Sequence, residues 1–186
     1  MDLLGHSRGG HVAFRVAQHH PALVRTLILA EPGGALDGTL RPPPPAAKSR
    51  GMSGAEIAAR AAERIRRGDV EGGLAFFIDA TSGPGAWEGM AGHLRRMLRD
   101  NARTLLGQMN ERRPPLSRAD MEAIRAPTLL VGRGGCLPPA ARVLDAMERR
   151  IGDAARVAIP GTTHNTSQQD PDAFNRAVLG FLAART

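Results

Sequence analysis

Ser7 stands in the run Gly5-His6-Ser7-Arg8-Gly9, a G-x-S-x-G arrangement. Small residues on both sides of a serine permit a very tight turn. Between a strand and a helix, such a turn is a nucleophile elbow that lifts the hydroxyl clear of the backbone. A serine hydroxyl alone is a poor nucleophile and needs a base within hydrogen-bond reach. His164, in the loop GTTHN, is the candidate base. Such a pair supports attack by Ser7 on a carbonyl carbon, with His164 taking and returning the proton. The other histidines carry less. His6 fills the first variable position of the turn and is read as structural. His11, His19, His20 and His93 have no ligand spacing with acids or with the single cysteine, Cys136, so no metal site is expected.

These residues must be positioned by a scaffold. Residues 2–5 (DLLG) read as a short strand end. Residues 8–20 read as a helix, with Val12 and Val16, and Ala13 and Ala17, repeating four apart until Pro21 ends it. VRTLILA (24–30) and TLLVG (128–132) are continuous apolar runs of strand length, as expected of buried parallel strands. ARVAIP (155–160) is a further strand. Residues 138–151 form an amphipathic helix, and residues 170–183 a last one with Phe174, Val178 and Phe181 on one face. Strand, helix, strand within the first thirty residues is a βαβ unit. The fold class is therefore α/β: about four strands of a parallel sheet flanked by helices. Ser7 and His164 each follow a strand, so both belong at the carboxyl edge of that sheet.

The middle of the chain has another character. Residues 32–51 are rich in proline and glycine, and the prolines at 42–45 favour polyproline II. Ser53 with Glu56 three residues later is a capping-box signature, and Gly68 is a stop. Further helices are expected over 69–80, 84–100, 101–112 and 117–124. The expected organisation is a core of 1–34 and 126–186, interrupted at 35–125 by a proline-rich loop and a helical insertion. Met52, Met90, Met97 and Met109 with Phe76, Phe77 and Trp87 read as the core of the insertion. If the insertion is a lid, Phe76, Phe77, Trp87 and Met90 would line an apolar acyl pocket.

Composition narrows the function classes. The net charge is +7 and the isoelectric point about 11.3, which suggests nucleic acid as a partner. Lys48 is the only lysine, however, and the arginines often sit beside acids, as in EAIR and DAMERR. Aromatics are 3% and tyrosine is absent, so there is no stacking platform for single strands. No nucleic-acid partner is expected, and the arginine bias looks like the mark of a GC-rich genome. No apolar run approaches the roughly 20 residues of a membrane span. No secretory signal is visible, and one cysteine excludes an intramolecular disulfide framework. A cytoplasmic setting is the expectation.

The order elbow, helix, strand, helical insertion, strand, helix, strand, histidine loop and closing helix resembles the C-terminal portion of the α/β-hydrolase superfamily. HHPALVRTLILAEP resembles the family's passage out of the elbow helix. PTLLVG resembles its penultimate core strand, and VAIPGTTHNTSQQDPDAFNRAVLGFL its catalytic-histidine loop and last helix. The resemblance implies a Ser-His-acid triad, an oxyanion donor from the backbone N–H of Arg8, and no cofactor or metal. Most of the family places the acid after the penultimate strand, but here that segment is GRGGCLPP, without a carboxylate. Asp145, the nearest downstream acid, lies mid-helix four residues from Arg149 and reads as an exposed ion pair. Glu31 follows the strand VRTLILA, where some members, including a branch of the dehalogenases, carry their acid. Glu31 is the acid expected here.

The resemblance implies hydrolysis of an ester-like or C–C bond of a small-molecule substrate. A serine at the elbow disfavours the dehalogenase and epoxide-hydrolase chemistries, which use an aspartate there. The second oxyanion donor and the earlier strands of the family would precede Met1. One rival expectation is therefore a catalytically inactive truncated chain. Another is a non-enzymatic ligand-binding protein of the same fold.

Overall fold

The computed structural model describes residues 1–40, 52–108, 111, 113–134 and 140–185. The prolines at 42–45, Lys48, Met109 and Cys136 lie outside the described residues. In chain order the elements are β1 (Asp2–His6), α1 (Arg8–His19), β2 (Thr26–Ala30), α2 (Gly54–Arg66), α3 (Val70–Ser82), α4 (Gly92–Asp100), α5 (Thr104–Gln108), α6 (Arg118–Glu122), β3 (Thr128–Arg133), α7 (Ala140–Arg150), β4 (Ala154–Ile159), α8 (Thr166–Gln169) and α9 (Pro171–Ala183). The chain divides into two compact units, Met1–Pro44 with Pro114–Thr186, and Pro45–Arg113.

The first unit is built on a four-stranded sheet in the order β1-β2-β3-β4, parallel throughout. β2 is buried along its whole length, which is why its sequence is apolar without alternation. Its side chains still divide between the two faces. Leu27 and Leu29 join Leu130, Phe14, Ala17, Leu144 and Met147 in one core cluster. Ile28 and Ala30 join Leu129, Val131, Ile159, Phe174 and Val178 in the other. α1 turns Ala13, Phe14 and Ala17 inward, whereas Val12, expected on the same apolar stripe, is 53% exposed. The small faces of the two alanines let α1 lie close to the sheet. Residues His6, Ala30, Val131 and Val157 pair in register across the four strands. Consequently the residues that follow Ala30 and His6 leave the sheet side by side, at one edge.

The second unit is helical. Ser53 accepts from the Glu56 N–H, and the Glu56 carboxylate accepts from the Ser53 N–H, which completes the capping box of α2. Gly68, with φ of 93°, ends the turn after α2 in a conformation that glycine tolerates best. Ile65, Leu74, Ile78, Trp87 and Leu105 form its core. Residues 84–89 are turns, not the start of a long helix, and α4 begins only at Gly92. Gly83 and Gly85 flank Pro84 with φ of 111° and 77°, which breaks the helical path. Of the helix expected over 101–112, residues 101–103 are turns and α5 begins at Thr104. Met52 and Met97, read as core, are 39% and 45% exposed. No helix among the described residues is long and apolar enough to cross a membrane.

Candidate active site

Ser7 sits between β1 and α1 with φ 53° and ψ −118°, a backbone conformation that L-residues other than glycine rarely adopt. Surrounding hydrogen bonds hold it there. The Ser7 N–H donates to the Ala30 carbonyl at 2.9 Å, and the Ser7 carbonyl accepts from Gly10 N–H at 3.0 Å and Gly33 N–H at 2.8 Å. Gly5 is sterically required: a Cβ there would lie 2.3 Å from the Gly9 carbonyl oxygen and 2.8 Å from the Ala13 Cβ. Gly9 is not, since a Cβ at that position meets nothing within 4 Å. The second tight glycine is Gly10, whose Cβ would lie 3.0 Å from Pro32 and 3.2 Å from the Gly5 carbonyl oxygen. Gly9 thus matters as backbone that a residue-5 side chain would strike.

His164 follows β4 and precedes α8, a short helix that periodicity does not reveal. Its Nε2 lies 2.8 Å from Ser7 Oγ, and its Nδ1 lies 3.4 Å from Glu31 Oε2. A carboxylate only accepts, so the neutral imidazole places its proton on Nδ1 and leaves Nε2 to accept from the serine hydroxyl. The contact to Glu31 is long for a charge-assisted hydrogen bond. Contacts of this kind tighten when charge develops on the imidazole.

Glu31 leaves β2 with φ 44° and donates its N–H to the Val131 carbonyl at 2.8 Å. Its side chain has no solvent exposure. Oε1 accepts from the Arg133 N–H at 2.9 Å, and the Arg133 Nε lies 3.5 Å from Oε2. Burial pushes the Glu31 carboxyl upward. The His164 contact, the Arg133 N–H and the Arg133 charge together outweigh it, so the group is held below the usual glutamate range. Asp145 is engaged elsewhere: its Oδ1 bonds the Arg156 guanidinium at 2.6 Å. The partner is Arg156 of β4, not the expected Arg149, because α7 lies along β4 and brings the two side chains together.

His6, read from sequence as structural, reaches the histidine loop. Its Nε2 lies 2.8 Å from the His164 carbonyl oxygen, and the two rings are 4.9 Å apart and tilted. A carbonyl can only accept, so Nε2 carries the proton. Burial, with the neighbouring His164, pulls the His6 imidazole below its ordinary value, against the carbonyl bond and the Glu31 charge. Arg8 is the first residue of α1, directly after Ser7. Arg133, and the bond from His6 to the histidine loop, are what sequence reasoning missed. Their only available signal was their place at strand tips beside the elbow.

Phe76, Phe77 and Met90 pack against the core of the second unit, where Trp87 is buried with its indole N–H donating to Glu71 at 3.2 Å. Among the described residues no group of three His, Cys, Asp or Glu could hold a metal ion.

A family model described as the alpha/beta hydrolase family matches residues 2–177. The chain is similar to a hydrolase from Pseudomonas aeruginosa PA01, with 26% identity and a TM-score of 0.71, over 96% of this chain and 63% of that one. It is similar to MenH from S. aureus, with 20% identity and a TM-score of 0.66, over 98% of this chain and 67% of that one. It is also similar to a thermophilic esterase from Thermogutta terrifontis, with 23% identity and a TM-score of 0.68, over 98% and 64% of the two chains. The chain thus spans about two thirds or less of the length of these solved chains. No curated protein matches it. The family match runs through both halves of the strand-and-helix unit and through the helical segment between them, and the chain belongs to the alpha/beta hydrolase family.

Proposed function

We propose that the chain is a serine hydrolase that cleaves an ester-like or C–C bond of a small molecule through Ser7, His164 and Glu31. The observation that carries this reading is the 2.8 Å approach of His164 Nε2 to the hydroxyl of a serine in a strained turn. Strain of that kind persists only where the surroundings enforce it, and it concentrates at functional sites. Ser7 Oγ attacks the carbonyl carbon while His164 Nε2 takes its proton. The Arg8 N–H stabilises the developing oxyanion. His164 then returns the proton to the leaving group, and acyl-Ser7 remains. A water, deprotonated by His164, attacks that acyl group and releases the acid and Ser7. Glu31 holds the imidazole in the required tautomer and balances its charge. The reaction needs no cofactor. The single cysteine supports a reducing, cytoplasmic setting.

The test is covalent labelling of the full chain with a fluorophosphonate probe. Ser7 becomes modified, and Ser7→Ala abolishes labelling without changing the circular dichroism spectrum. A folded chain that takes no label overturns the reading in favour of an inactive or ligand-binding member of the family.

A further inference from the structure

We propose that Arg133 is a positioning residue that anchors the Glu31 carboxylate for His164 and so sets the acid limit of the reaction. The inference rests on the hydrolase reading of Ser7 and His164. Its geometry comes from the sheet. Ala30 pairs with Val131, so Glu31, one residue beyond the end of β2, lies beside the last residues of β3. The carboxylate comes close to Gly132, where a Cβ would stand 3.6 Å from Oε1.

Two contacts from Arg133 then divide the carboxylate. The backbone N–H holds Oε1 at 2.9 Å, and the guanidinium Nε stands 3.5 Å from Oε2. Oε2 is the oxygen that faces His164 Nδ1 at 3.4 Å. One oxygen is therefore an anchor, and the other is shared between a permanent cation and the imidazole. The groups facing this carboxylate come from every neighbouring strand tip. They include Arg133 from β3, His164 from the loop after β4, and His6 of β1, whose ring lies beside that of His164. Arg133 is the one permanent charge among these three.

A buried carboxylate without a permanent cation favours its neutral form. A protonated Glu31 can no longer accept from Nδ1 as a carboxylate or balance the imidazolium. Arg133 thus extends the working range of the pair toward acid pH. The side chain acts through Glu31, and its contribution appears in rate and pH dependence more than in substrate affinity.

Arg133→Gln and Arg133→Lys in the full chain test this. In R133Q the fluorophosphonate labelling rate near pH 5 falls about threefold relative to that near pH 8, compared with wild type, since the His164 contact and the residue-133 N–H still hold the carboxylate. R133K restores most of it, because the charge returns while the backbone N–H never left. A purely structural role lowers the rate equally at all pH values. Carbon-13 NMR of glutamate carboxyls, with Glu31 identified by its absence in Glu31→Gln, reads the same effect without catalysis. The Glu31 titration moves to higher pH in R133Q and stays near wild type in R133K. An unmoved titration in R133Q overturns the role of Arg133, as does R133K behaving like R133Q. If R133Q fails to fold, a displaced titration in R133K alone overturns it. Absence of labelling in wild type instead overturns the hydrolase reading.

Discussion

His164 Nε2 lies 2.8 Å from Ser7 Oγ although the two residues are 157 positions apart. The parallel register creates this contact: the turn after β1 and the loop after β4 open on the same edge of the sheet, and both lie within the first unit.

The identity of the acid is testable by two substitutions. Glu31→Gln removes the charge facing His164 Nδ1 and is expected to lower kcat by about 10⁴, as loss of the acid does in serine proteases. Asp145→Asn removes only the pair with Arg156, whose Asp145 side chain is 39% exposed. It is expected to cost well under about 1 kcal/mol of stability and to leave kcat within about twofold. Steady-state kinetics and urea denaturation of both variants check this. A large loss confined to Asp145→Asn assigns the acid to Asp145.

The elbow glycines should differ sharply. Gly5→Ala drives a Cβ to 2.3 Å from the Gly9 carbonyl oxygen, backbone that cannot step aside. The expected cost is about 3 kcal/mol or more, at or beyond the upper end of ordinary overpacking. Gly9→Ala meets open space and sits in the first turn of α1, so it is expected to be neutral or to stabilise by up to about 1 kcal/mol. Thermal unfolding of the two variants gives the comparison. Equal destabilisation would contradict the packing described here.

His6 and Glu31 make stability depend on pH from two different starting points. The folded value of His6 lies below 6.5, so the unfolded chain binds the extra proton first. The contribution is present above pH 6.5 and is lost as pH falls from there toward the folded value. Glu31 is held below 4.5, so its contribution is present above that value and is lost as pH falls through the lower folded one. His6→Gln is therefore expected to flatten the stability curve below pH 6.5 and leave the more acidic fall in place. Glu31→Gln does the reverse. Urea midpoints measured across pH separate them.

Much of the scaffold was legible because its signals are local. VRTLILA and TLLVG advertise buried strands through continuous apolar sequence, and Ser53 with Glu56 marks a helix start through hydrogen bonds spanning three residues. The helix expected over 84–100 forms only from Gly92 onward, because Gly83, Pro84 and Gly85 redirect the backbone more strongly than the flanking residues favour helix.

By itself, the sequence determined the strand-turn-helix setting of Ser7 and the position of His164 after a strand. Both follow from apolar periodicity and from the steric needs of a tight turn. Only the tertiary structure decided which carboxylate faces His164, because that depends on β2 lying between β1 and β3, and strand order leaves no local trace. The same holds for the hold of Arg133 on Glu31 and the bond from His6 to the His164 carbonyl. Each joins groups that are far apart in sequence and meet only where parallel strand ends come into register.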